Sequence, residues 1–149
     1  MRRFSFTLES VLTVKQKVLE DERIKLARIM NVYNKQKEAL EEIIANFKRI
    51  QKEADEYTQN SLFNIEMISS YRAYSFKLAQ DIKTQEKLIE KTSQELAKQQ
   101  QNANKAYIDV KTLEKLKEKQ KEKYDKEFEA EEFKTIDDIV SSRYARLSY

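Results

Sequence analysis

The chain has neither glycine nor proline in its 149 residues, where average usage would place about 18 of the two together. Proline removes a backbone donor and glycine lowers helix propensity, so the residues that ordinarily interrupt a helix are missing. Over this background, large side chains recur at alternating spacings of four and three: Leu8, Leu12, Lys15, Leu19, Glu22, Leu26, Ile29, Tyr33, Gln36, Leu40, Ile43, Phe47, Ile50, Ala54 and Tyr57. Only Lys15, Glu22 and Gln36 in this series are polar. Such a repeat lays a narrow apolar stripe along one helix, and a narrow stripe is buried by winding against a second helix. The expectation is all-α, in long helices packed as a coiled coil.

Charged residues make up 37% and hydrophobic ones 40% of the chain, too little apolar material for a thick core but enough for a seam. Lys and Arg number 29 against 26 Asp and Glu, for a net charge of +3. The signs are mixed: even Glu114 to Lys134 holds seven lysines against eight acids. A nucleic-acid binder shows basic charge unopposed by acid, so no nucleic-acid partner is expected. Met1, Arg2 and Arg3 open the chain without the apolar run of a signal peptide, and no stretch approaches the ~20 apolar residues of a membrane span. A cytoplasmic location is expected.

The chain also lacks cysteine and histidine. That excludes a disulfide framework, a thiolate nucleophile, an imidazole base and an ordinary zinc site. Without glycine, the phosphate-cradling loops that need positive φ are excluded as well. Carboxylates on exposed helical faces lack the burial that tunes them for acid and base work. Neither enzyme activity nor a cofactor is expected.

The seam spacing continues in phase through Ser61, Asn64, Ile68, Tyr71, Ser75, Leu78, Ile82, Gln85, Ile89, Thr92, Leu96, Gln99, Ala103, Ala106, Val110 and Leu113. Phase alone therefore marks no bend. Thr58, Gln59, Asn60 and Ser61 form the one cluster of turn-prone polar residues, which places a bend within 58–66. A single domain follows, with helix one over about 7–58 and helix two over about 66–142. Thr7 is the expected N-cap, with Phe6 and Val11 as a hydrophobic staple and Glu9 in the first turn. Two arrangements satisfy the seam. One helix of some 135 residues, roughly 200 Å long, would need a second chain in a parallel dimer, whereas a hairpin covers itself.

The polar seam residues Lys15, Glu22, Gln36, Gln85 and Gln99 weaken packing and set register. Beyond Leu113 the frame is expected to falter, because Lys117 and Gln120 take seam positions while Leu116, Tyr124 and Phe128 are apolar. A new stripe then follows in Phe133, Ile136, Val140, Tyr144 and Leu147. In a hairpin the first helix is too short to cover it, so the second overhangs the first with apolar surface in search of a partner.

FSFTLESVLTVKQKVLEDERIKLA at 4–27 and LEKLKEKQKEKYDKEFEAEEFKTIDDI at 113–139 resemble the FliJ family of flagellar type III export proteins. The resemblance implies a long antiparallel two-helix coiled-coil hairpin, akin to the central stalk of rotary ATP synthases. It further implies an accessory protein that performs no chemistry itself. Such a protein docks into the export ATPase hexamer, touches the cytoplasmic domain of the export gate, and in some members escorts empty export chaperones. By the stalk analogy, ring contact falls on Phe4, Phe6, Leu8, Val11, Leu12, Phe128, Phe133, Ile136, Ile139 and Val140, with mutual packing as the competing role. Gate contact falls on Leu40, Ile43, Phe47, Ile50, Tyr71, Tyr74, Leu78 and Ile82, several of which also belong to the seam. A virulence secretion stalk and a homodimeric coiled-coil scaffold are the alternative readings. Family members often carry glycine at the bend, and this chain has none.

Overall fold

The computed structural model describes residues 3–60 and 64–148. Two helices account for nearly all of them: α1, Glu9–Gln59, and α2, Ile65–Leu147. No strand occurs among the described residues. The chain is an all-α helical hairpin, and the long single helix with a second chain is excluded because α1 and α2 pack against each other. Helix two runs past the expected 142 to Leu147.

Local chemistry explains each helix end. The Leu12 N–H donates to the Leu8 carbonyl at 2.9 Å, and the Glu9 N–H closes the preceding turn onto the Phe6 carbonyl at 3.2 Å. Leu8 therefore takes the N-cap position, and the expected cap Thr7 lies within that turn. Phe6 joins Leu12 in the core cluster, whereas Val11, its expected staple partner, is exposed. At the far end of α1 the Asn60 N–H bonds the Tyr57 carbonyl at 3.2 Å. The Thr58 hydroxyl back-bonds to the Ala54 and Asp55 carbonyls at 2.6 and 3.1 Å.

Asn64 caps α2. Its Oδ1 accepts the Glu66 N–H at 3.0 Å, and its carbonyl accepts the first intrahelical bond, from Ile68, at 3.2 Å. Its own N–H donates to the Tyr57 hydroxyl at 2.8 Å. One aromatic side chain of α1 thus satisfies a backbone donor where α2 begins. The bend falls between Gln59 and Ile65; Ser61, expected on the seam there, lies outside the described residues.

The chain divides into two compact units, Met1–Asp21 with Asn104–Tyr149 and Glu22–Ala103. In the first, Phe6, Leu12, Leu19, Ala106 and Val110 form a buried cluster, with Phe4 and Leu113 packed on it. The helices run antiparallel here: Lys15 pairs with Asp109 at 3.7 Å, Glu9 with Lys117 at 2.8 Å, and Phe4 lies 5.5 Å from Tyr124. The frame does not falter after Leu113. Lys117, Gln120 and Tyr124 are half-buried in phase with it while Leu116 is exposed. The ion pair to Glu9 and the aromatic contact to Phe4 hold seam positions that composition alone made look weak.

The second unit repeats the antiparallel arrangement. Ile50, Leu78, Leu96 and Ala103 are its buried apolar residues, with Thr92 and Gln99 buried among them. Gln99 Nε2 donates to the Glu22 carbonyl at 3.1 Å and also meets the Glu22 carboxylate. Gln85 Nε2 donates to the Gln36 carbonyl at 2.9 Å. Tyr57 and Tyr71 meet at 5.9 Å between ring centres, tilted by 52°. These polar crossings partner the Gln85 and Gln99 amide nitrogens and fix which residues face each other, although the buried Gln36 Oε1 has no hydrogen-bond partner.

Candidate functional site

A protein that acts by contact needs apolar side chains its own fold leaves uncovered. In the first unit the expected ring-contact residues divide sharply. Phe6 and Leu12 are 6% and 3% exposed, committed to the core. Phe4 is half-buried beneath Tyr124, which itself stacks on Phe128 at 6.2 Å. Leu8, Val11 and Phe128 are exposed to a moderate degree. Phe133, Ile136, Ile139 and Val140 lie well open to solvent, Phe133 at 69%. The packing role thus claims Phe6 and Leu12, and the remaining members keep accessible surface.

The free stretch follows from the cover that α1 and its leading strap supply. The strap, residues 3–8, reaches along α2 to Tyr124, and every residue from 125 to 148 is exposed. Along that stretch Phe133, Ile136, Val140, Tyr144 and Leu147 return to one side of the helix at spacings of three and four. Tyr144 and Leu147 are 75% and 83% exposed. Both belong to the stripe that the sequence spacing predicts, and neither is among the expected ring-contact residues.

The expected gate-contact residues all belong to the second unit. Ile50 and Leu78 are buried, while Leu40, Ile43, Phe47, Tyr71 and Ile82 are half-buried in the seam. Only Tyr74 is exposed. It lines a hollow of about 250 Å³ with Ile50, Met67, Ser70 and Tyr71. A second hollow, about 480 Å³, is also lined by Tyr71, with Ala54, Asp55, Thr58, Ile68, Arg72 and Ser75 among others. Small seam residues create it, since Ala54 and Ser75 fill less space than the residues around them. Met67 and Phe76, outside both expected contact sets, are exposed as well. Their signal was available: both are large and apolar at positions off the seam.

No group of three or more residues of metal-binding type converges among the described residues. No described helix is long and apolar enough to cross a membrane. The hydrogen bond and charge of Glu114, 2.9 Å away, raise the Lys111 pKa above its ordinary value.

A family profile described as the flagellar FliJ protein matches residues 4–148. No curated protein and no solved structure matches the chain.

Proposed function

The chain belongs to the flagellar FliJ protein family, and we propose that within flagellar export it acts as a stalk, binding the export ATPase hexamer and linking it to the cytoplasmic domain of the export gate. Flagellar rather than virulence secretion follows from the family description. The observation that carries the reading is the uncovered part of α2. A helix that leaves Phe133, Ile136, Val140, Tyr144 and Leu147 in water, while its preceding turns are covered by α1, is built to be gripped by something else.

On this reading the ring contact is made by Phe128, Phe133, Ile136, Ile139 and Val140, with Leu8 and Val11 at the margin. Phe6, Leu12 and Phe4 act behind them by fixing the strap. Gate contact centres on Tyr74 and the hollow beside it, and the half-buried members of the gate set support that surface from the seam. Through these partners the protein sits at the inner membrane without entering it, and the escort of emptied export chaperones is a further part of the same role. The mechanism is differential contact: a stalk that favours particular ring states shifts the population of those states and so biases assembly or turnover. The test is to mix the purified chain with its cognate export ATPase. Increased hexamer formation or ATP turnover is expected; no change in either would remove the stalk reading.

A further inference from the structure

The uncovered part of α2 carries a charge pattern that its apolar stripe does not require. Residues 129–138 hold Glu129, Glu131, Glu132, Asp137 and Asp138 against Lys134 alone. None of these five carboxylates forms an ion pair among the described residues. After Asp138 the acids cease, and Arg143 and Arg146 complete the helix. The acid is therefore local, on a chain whose net charge is +3.

Helical spacing brings these charges to the stripe. Glu129 lies four residues before Phe133 and continues its line; Asp137 lies four after Phe133 and three before Val140, on the stripe's border. Arg143 stands three after Val140, beside Tyr144. Like charges crowded on an isolated helix repel one another, and opposite charge on a partner relieves that repulsion.

We infer that the surface receiving residues 129–147 is an apolar groove edged by lysine or arginine opposite 129–138 and by carboxylates opposite Arg143 and Arg146. This rests on the ring reading above and adds the chemistry of the ring's lining. The step from acid to base along one helix gives the contact a direction. A groove of matching polarity accepts the helix at one depth and one orientation, because a displaced or reversed helix brings like charges together. An anionic lipid surface is disfavoured by the same five carboxylates. A parallel pair of these helices from two copies would place acid against acid.

The test uses the full chain and its purified cognate export ATPase, titrated at low and at high salt. The triple variant Glu129→Gln, Glu132→Gln and Asp137→Asn keeps helix-compatible side chains of the same size, and circular dichroism checks that its helicity is unchanged. The expected result is roughly a tenfold loss of affinity at low salt, with a flatter salt dependence than the unmodified chain. If this variant binds like the unmodified chain at both salts while Phe133→Ala with Ile136→Ala loses binding, the charge inference fails and the ring reading stands. If neither variant changes binding, both fail. If the unmodified chain instead self-associates in sedimentation, in a salt-sensitive way lost in the triple variant, the occupant is a second copy and the inference is overturned.

Discussion

Gln99 of α2 reaches across to α1 and donates its side-chain amide to the backbone carbonyl of Glu22 at 3.1 Å. Fourteen residues away on each helix, Gln85 makes the same bond to the Gln36 carbonyl at 2.9 Å. Two polar side chains at the same repeat position thus lock two turns of the seam to each other. Their replacement by leucine is predicted to raise the melting temperature, because polar seam residues buy register with stability. Register should loosen in return. The chain has no cysteine, so Ile29→Cys with Thr92→Cys, midway between the two bonds, reports it by crosslinking. In the native background this pair should crosslink efficiently. In Gln85→Leu/Gln99→Leu, Thr92→Cys should also couple to cysteines one heptad away, at Glu22 or Gln36.

Leu12 and Phe133 are both large, apolar and placed at helical spacing, yet one is 3% and the other 69% exposed. Leu12→Ala is predicted to cost about 2–4 kcal/mol through lost burial and an unfilled space. Phe133→Ala should change stability by no more than about 0.5 kcal/mol. Urea melts followed by circular dichroism compare the two directly.

Asn64 joins the bend to α2 through both its side chain and its backbone. Asn64→Ala removes the bond to the Glu66 N–H and is predicted to cost about 1 kcal/mol. Tyr57→Phe leaves the Asn64 N–H without its hydroxyl acceptor while retaining the ring contact to Tyr71. It should cost a similar amount, about 1 kcal/mol. Hydrogen exchange should show earlier opening of the first turn of α2 in both variants.

Phe4 holds the strap onto Tyr124. Phe4→Ala is predicted to destabilise the first unit by about 1 kcal/mol and to speed amide exchange at the start of α1. Exchange in residues 22–103 should be unaffected.

Long paired helices were legible in the seam, because a coiled coil is largely its own one-dimensional code. The seam fitted a parallel dimer equally, and only the polar cluster at Thr58 to Ser61 and the family resemblance pointed to a hairpin. Lys15, Glu22, Gln36, Gln85 and Gln99 stand out in the sequence as register-setting residues, but which of them face each other depends on how the bend sets the two helices in phase. The apparent loss of frame after Leu113 came from judging each position by polarity. Lys117 keeps its place on the seam and reaches the exposed Glu9 of α1 at 2.8 Å, a partnership across more than a hundred residues that periodicity cannot display. The N-cap of α1 was misplaced for a related reason. Thr7 has the better capping side chain, but the burial of Phe6 and Leu12 decides where the chain turns.

The contact surfaces were less legible. Phe6, Leu12, Ile50 and Leu78 have the same character in the sequence as residues that remain open, and only the pairing of helices separates them. The free stripe after Phe128 was accessible to sequence reasoning because it depends on a difference in helix length. Tyr144 and Leu147 extend it because α2 continues to Leu147.

The central claim is that the uncovered stripe of α2 is the grip for the export ATPase. Its most direct test is the affinity of the Phe133→Ala/Ile136→Ala variant for the cognate ATPase, with helicity and melting temperature verified as those of the unmodified chain. The account predicts at least about a tenfold loss of binding, as expected for two exposed apolar anchors removed from an interface. Unchanged affinity in a fully folded variant would contradict it.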